Sequence, residues 1–237
     1  GLQQIILQGK FCSASKLNVI GEGSSNGIDT EHFSRKSISK AEIESLKAKL
    51  NITQEDFVFV FVGRIVGDKG INELVNAFDK ISSETSNVKL LLVGPYEEDL
   101  DPLSKLTLKR IRENENILSV GYQQEVRLFL AVSHCLVFPS YREGFPNVVM
   151  QAGAMELPGI VTDINGCNEI ISHEKNGLIV PVKSAEALCV AMNQVVSEKE
   201  LYLRLQQHAR EAITSRFEQN VIWEALLAEY QKLEDVS

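Results

Sequence analysis

A chain of 237 residues and 26.4 kDa suits one large domain, or one domain with a small appendage. Its 44% hydrophobic and 24% charged residues exclude disordered and fibrous classes. A formal net charge of −8 opposes binding to a nucleic-acid backbone, although a pocket can still be locally basic.

In chain order, Leu17–Ile20 reads as a short strand leading into a polar, glycine-rich stretch, GEGSSNGID. Ser39, Lys40, Ala41 and Glu42 form a capping-box pattern ahead of an amphipathic helix to about Leu50. From about residue 57 onward, short apolar runs alternate with helix-period segments. Phe57–Val62 (FVFVFV) is apolar at every position, the pattern of a strand buried on both faces of a parallel sheet. Ile71, Leu74, Val75, Phe78 and Ile81 then fall on one helical stripe. Val88–Val93 is a second strand, ended by Gly94-Pro95. Asp101-Pro102 reads as an N-cap with proline at the first helical position, opening a helix to about Asn114.

The alternation continues with strand Ile117–Val120, helix Glu125–Ser133, strand Cys135–Phe138 and helix Pro146–Met155. Strands Gly159–Thr162 and Gly177–Pro181 follow, and Ala185–Val196, Lys199–Ser215 and Gln219–Leu233 read as closing helices. Strands and helices alternating at these lengths predict an α/β fold with right-handed crossovers, a Rossmann-like doubly wound parallel sheet.

No run reaches the ~20 consecutive apolar residues of a membrane span, and no signal peptide is read at the N-terminus. The four cysteines (Cys12, Cys135, Cys167, Cys189) contain no C-x-x-C pair, and His32, His134, His173 and His208 are equally scattered. Neither a zinc site nor a disulfide framework is expected, and the reducing cytoplasm is the expected compartment. His134 and Cys135 adjoin a buried strand and read as core.

Ligands of open parallel sheets bind beyond the carboxyl ends of the strands, and the unusual residues cluster there. Gly63-Arg64-Ile65-Val66-Gly67-Asp68-Lys69-Gly70 follows a buried strand and precedes a helix. A lysine at a helix N-terminus opposes the macrodipole by roughly 0.3–1 kcal/mol, which an anion at the site would offset. The alternative is that Asp68 neutralises Lys69 while Arg64 pairs with a surface carboxylate. The segment is neither a Walker loop nor G-x-G-x-x-G. In the second cluster, Pro139-Ser140-Tyr141-Arg142-Glu143-Gly144-Phe145-Pro146-Asn147, Glu143 precedes a helix start. It is either an acidic cap or the neighbour of amides that receive phosphate or sugar hydroxyls. Gln151 lies further along that helix, towards the cleft rim. A third cluster, Val161 to Glu169, is a polar strand-end loop that a simple turn also explains. Asp99-Leu100-Asp101 has the letters of a metal-binding D-x-D, but its place favours capping, so no metal site is expected.

Taken together, NGIDTEHF (26–33), VGRIVGDKGINELVNAF (62–78), LLLVG (90–94), FPSYREGFPNVVMQAGAMELPGIVTD (138–163) and NEIISHEKNGLIV (168–180) resemble glycosyltransferase family 4. The resemblance implies the GT-B architecture, two Rossmann-like lobes with the active site between them, of which this chain is the single C-terminal lobe. It divides the chain into an inter-lobe segment, 1–35, and a donor nucleotide-sugar-binding domain, 36–237, with the N-terminal acceptor lobe absent. The function implied is retaining, metal-independent transfer of a hexose-type sugar from a nucleotide diphosphate sugar, with UDP favoured, to a glycan or lipid-linked acceptor. No cofactor is implied.

By this resemblance Arg64 and Lys69 contact the diphosphate and Glu143 lies near the donor sugar, the three forming the catalytic set. Gly63, Gly144, Phe145, Pro146, Asn147 and Val148 line the donor, and Tyr122, in Gly121-Tyr122-Gln123, passes the base. The family's E-x7-E pair departs here, because Gln151 stands at the second position; glutamine still accepts from one ribose hydroxyl and donates to another, with less charge assistance. The expected setting is cytoplasmic, at the inner face of the membrane through the absent lobe, in bacterial polysaccharide biosynthesis, with slow or no turnover by this chain alone. The closing helices are expected to expose an apolar patch towards that lobe. Two alternatives stand beside this: a non-catalytic nucleotide-sugar-binding module, which Gln151 favours, and another GT-B enzyme such as an epimerase, which the E-G-F-P-N segment opposes.

Overall fold

The computed structural model describes residues 1–24, 26–97, 99 and 101–234. Ser25 of the glycine-rich stretch and Leu100 of the Asp-Leu-Asp triplet lie outside the described residues. The central strand, β1, is Phe57–Val62, with Val58, Phe59, Val60 and Phe61 fully buried. Val88–Val93 (β2), Ile117–Gly121 (β3), Cys135–Phe138 (β4), Gly159–Thr162 (β5) and Gly177–Val180 (β6) complete a sheet ordered β3-β2-β1-β4-β5-β6. Every pairing is parallel. Chain order runs outward from β1 in one direction and then from β4 in the other. The reversal leaves a crevice above the carboxyl ends of β1 and β4.

The helices are α1 (Leu2–Gln8), α2 (Lys40–Lys49), α3 (Ile71–Glu84), α4 (Lys105–Glu113), α5 (Arg127–Ala131), α6 (Asn147–Ala154), α7 (Cys167–Ile170), α8 (Ala185–Ser197), α9 (Lys199–Phe217) and α10 (Gln219–Glu234). On α3, the predicted stripe Ile71, Leu74, Val75, Phe78 and Ile81 is buried, packing on β2 and α8. Helix α6 packs on α9. The predicted capping box opens α2: Ser39 Oγ accepts from Glu42 N at 3.3 Å, and Glu42 Oε2 from Ser39 N at 3.0 Å.

Several boundaries differ from expectation. Asp101-Pro102 does not open α4. Ser104 does, its hydroxyl accepting from Thr107 N at 3.1 Å. Asp101 is drawn instead to the loop after β1, where its carboxylate accepts from Asp68 N at 2.5 Å and its carbonyl from Gly67 N at 3.1 Å. Pro146 is the N-cap of α6 rather than its first helical residue. The helix expected from Glu125 starts at Arg127, whose amide donates to the Glu125 carboxylate at 2.9 Å. Leu17–Ile20 joins no strand; it lines a groove together with the loops after β4 and β5. Helix α1 had no counterpart in the sequence reading.

Residues 28–35 are tied to the lobe by backbone bonds and half-buried arginines. Ile28 N donates to Phe217 O at 2.7 Å, and Gln219 N to Ile28 O at 3.0 Å. Arg210 donates to the carbonyls of Thr30, Phe33 and Ala154, and Arg35 to those of Ser133 and Met155. Cations thus satisfy the last carbonyls of α6, at the negative end of its dipole. On α10 only Ile222 is buried, whereas Trp223, Leu227 and Tyr230 are each more than half exposed along one face.

Gly70, the N-cap of α3, has φ +71°, and a Cβ there would lie 2.1 Å from Pro139 O. Both the backbone angle and the close approach require glycine. Gly70→Ala is expected to cost about 2 kcal/mol or more in denaturant unfolding. Gly144→Ala, whose Cβ meets nothing within 4 Å, serves as the near-neutral control.

His134 packs on Phe57, and its Nδ1 accepts from Val58 N at 3.0 Å. Burial, aided by Arg35 and Lys47, lowers its pKa from 6.5 to about 4. The neutral ring is therefore favoured by folding. That contribution is fully present above pH 6.5 and is lost as pH falls through about 4. The loss is at most about 3 kcal/mol. His134→Gln, which keeps an acceptor for Val58 N, should flatten the fall of unfolding free energy over this window; an unchanged slope would refute the assignment.

Candidate functional site

The loops after β1 and β4 face each other across the crevice. Lys69 closes a 3-10 turn, Gly67–Lys69, and its ammonium lies 2.5 Å from Glu143 Oε1. Both side chains are largely buried, 15% and 16% exposed. The loop backbones are joined as well. Tyr141 N donates to Asp68 O at 2.9 Å, and the Ser140 hydroxyl reaches Arg142 O at 3.2 Å. Behind them, the buried Thr162 hydroxyl donates to Ser140 O at 2.5 Å. Tyr141 donates its phenol proton to Glu73 at 2.7 Å; burial and that carboxylate push its pKa upward.

The helices that start at this crevice leave their first amides open. Among the described residues, no side chain caps α3 or α6. The exposed residues Gly144 and Asn147 and the half-buried Phe145 and Val148 surround the start of α6, with Pro146 buried beneath. The half-buried Gln151 follows one turn further along the helix. Unsatisfied amides and the positive end of two macrodipoles therefore converge beside a lysine, an arrangement suited to an anion.

The structure brings Lys69 and Glu143 together but turns Arg64 elsewhere. Arg64 lies 2.8 Å from Glu97 Oε2 and is 46% exposed. Its hydrogen bond to Glu97 raises its pKa, with smaller contributions from Asp68 and Glu143. The surface-carboxylate alternative thus holds for Arg64, whereas Asp68 pairs with Arg142 at 3.3 Å rather than with Lys69. Gly63 follows β1, its amide donating to Val93 O at 2.9 Å. A Cβ on Gly94 would lie 1.7 Å from Gly63 O, so the ends of β1 and β2 are in close contact. Tyr122 is 72% exposed beyond β3. Among the described residues no group of three or more His, Cys, Asp or Glu side chains could hold a metal ion.

Sequence reasoning missed the supporting residues. Glu97 and Glu73 look ordinary in sequence, Thr162 lay in a cluster that a simple turn also explained, and Asp101 resembled a helix cap. Cys167 is buried behind the ion pair, and burial pushes its thiol up to about 12. Also missed was a groove of about 750 Å³ between the first 24 residues and the loops after β4 and β5.

The sheet order and helix placement are those of the GT-B glycosyltransferases. A glycosyltransferase from Rickettsia africae superimposes with a TM-score of 0.86 at 20% identity, over 100% of this chain and 62% of that one. Anabaena HepE in complex with UDP gives 0.84 at 19% identity, over 97% and 61%. Residues 42–212 match the family described as "Glycosyl transferases group 1". The chain is 31% identical over 229 residues to the capsular polysaccharide biosynthesis glycosyltransferase CapM of Staphylococcus aureus, covering 97% of this chain and 59% of that protein. It is 26% identical over 194 residues to the N-acetyl-alpha-D-glucosaminyl L-malate synthase of Bacillus anthracis, covering 82% and 49%. The chain belongs to the group 1 glycosyl transferases, and it spans between 49% and 59% of the length of these two relatives. Among the described residues, no helix is long and apolar enough to cross a membrane.

Removing one partner of a buried ion pair leaves the other uncompensated, whereas removing both does not. Lys69→Met and Glu143→Leu should each destabilise by about 2–4 kcal/mol, with the double variant recovering most of the loss. Denaturant unfolding of all four proteins gives the cycle; additive losses would mean the pair is screened by water.

Proposed function

We propose that the chain is the donor-binding half of a retaining, family 4-type glycosyltransferase that needs no divalent metal. The observation that carries this reading is the Lys69–Glu143 pair at the strand-order reversal, between two helix N-termini without side-chain caps. Anabaena HepE, of like fold, has been crystallised with UDP and with UDP-glucose, which supports a UDP-sugar as the donor. CapM's part in capsular polysaccharide biosynthesis supports a glycan acceptor; the proposal extends to a lipid-linked glycan met at the cytoplasmic face of the membrane.

In this reading the diphosphate lies against the first amides of α3 and α6 and takes Lys69. Arg64 swings from Glu97 to share the charge. Glu143, released by Lys69, accepts from hydroxyls of the donor sugar. The bond from the anomeric carbon to the phosphate oxygen breaks, and the electron pair leaves with the diphosphate. An acceptor oxygen bonds to the anomeric carbon on the same face and passes its proton to the departing phosphate. Fixed cations and amides aimed at the growing negative charge lower the barrier, because they need no reorientation as it develops. Gly63, Gly144, Phe145, Pro146, Asn147 and Val148 line the donor, Gln151 holds the ribose, and Tyr122 lies beside the base.

A ligand that binds the folded state raises its melting temperature with concentration. UDP should do so here, and Lys69→Ala should weaken it by about tenfold or more through loss of a charge-assisted bond. Gln151→Glu should tighten binding by about fivefold, the equivalent of about 1 kcal/mol. Unaltered affinity in Lys69→Ala would remove the diphosphate from this crevice; weaker binding by Gln151→Glu would remove the ribose from residue 151.

A further inference from the structure

Two of the ion pairs made by the loop after β1 differ sharply in exposure. Lys69 and Glu143 are 15% and 16% exposed, whereas Arg64 and Glu97 are 46% and 31% exposed. We propose that Glu97 is a positioning residue for Arg64: an internal anion that holds the guanidinium back from the donor diphosphate and is displaced when the donor binds. The proposal rests on the donor reading above and adds what controls its second cation.

Backbone pairing brings the two residues together. Parallel pairing of β1 with β2 keeps one register from Phe57 with Val88 to Val62 with Val93. Beyond the strand ends the same register continues as a bridge between Ile65 and Tyr96, and Ile65 N donates to Pro95 O at 2.8 Å. The Tyr96 hydroxyl lies 3.0 Å from Ser119 Oγ on β3, which fastens the loop after β2 from its other side. Arg64 and Glu97 therefore leave segments already tied to each other. Their contact at 2.8 Å needs no movement of either loop.

The contact is also one that can open. Among the described residues the guanidinium donates to Glu97 through Nη1 alone, so its other donors stay open to phosphate oxygens. An ion pair between side chains this exposed shifts an equilibrium by at most about fivefold. A diphosphate offers the guanidinium more oxygens and more charge than one carboxylate, which favours the exchange. The released Glu97 has room to turn, because it borders an open cleft of about 320 Å³ with Tyr96 and Asp99. No charge is then stranded in the interior. Lys69 and Glu143 lack this freedom, since either one left alone is largely buried. Arg64 is thus the cation that can be parked and released at low cost, and Glu97 sets that cost.

Calorimetric titration of UDP into the wild type, Glu97→Gln, Arg64→Gln and the double variant tests this. Glu97→Gln should tighten UDP binding by about two- to fivefold, opposite in sign to the loss expected of a merely structural residue. In the Arg64→Gln background the same substitution should change affinity by less than about 1.5-fold, because no guanidinium is left to release. The gain should also shrink as salt rises from about 50 to about 500 mM, since screening weakens the competing contact. Unchanged or weaker binding by Glu97→Gln overturns the proposal, as does a gain that persists undiminished at high salt. A gain of like size without Arg64 overturns it too, because removing any nearby negative charge would then suffice. A wild type that binds no UDP overturns the donor reading instead, and this is seen before any variant is measured.

Discussion

The contact between Lys69 and Glu143 joins residues 74 positions apart, and the arrangement of the whole crevice depends on it. Two features of the fold make the contact possible. A parallel sheet puts every strand-to-helix loop on the same edge, and the order reversal between β1 and β4 sends their helices to opposite faces. The two loops then meet without a helix between them. Had β4 been added outside β3, the same residues would face separate parts of the surface.

Holding two largely buried charges at this distance requires backbone that does not drift. Gly70 packs its α-carbon against the Pro139 carbonyl, Tyr141 N reaches Asp68 O, and Thr162 supports Ser140 from β5. Asp101 contributes from beyond β2 by satisfying the amides of Gly67 and Asp68. Four separate segments therefore fix the geometry of one ion pair. Such a network is worthwhile at a site where charge must be met by groups already in place, since preorganisation is what distinguishes a protein dipole from water.

The strands were legible because burial on both faces leaves only apolar residues acceptable, so FVFVFV and CLVF announce themselves without any partner. Helix α3 was legible by its stripe. Asp101 was misread for a physical reason: an aspartate before proline satisfies amides equally well at a helix start or across a loop, and local sequence does not record which amides need it. Amides contributed by residues 67 and 68, brought near by folding, took it. The same holds for Leu17–Ile20, whose pattern is that of a strand but which pairs with no strand in the folded chain. Lys69 and Glu143 stood out in sequence as charges beside glycine at helix starts; that they would pair, and that Arg64 would turn to Glu97, depends on three-dimensional distances alone.

The charge balance of the crevice bears on what it selects. Lys69 is matched by Glu143, Arg64 by Glu97 and Arg142 by Asp68, so these three cations of the two loops are each already paired with a carboxylate. A diphosphate entering such a site does not meet a free basic patch; it must exchange one ion pair for another. On the donor-site reading, phosphate alone takes Lys69 and leaves Glu143 largely buried without a partner, which is unfavourable by several kcal/mol for a desolvated charge. A sugar hydroxyl removes that penalty by donating to the released carboxylate. The two halves of a nucleotide-sugar would then bind cooperatively through one side-chain contact, and a nucleotide without its sugar would forgo part of the available affinity. On that reading, selectivity for the intact donor would follow from the ion pair being satisfied before the ligand arrives.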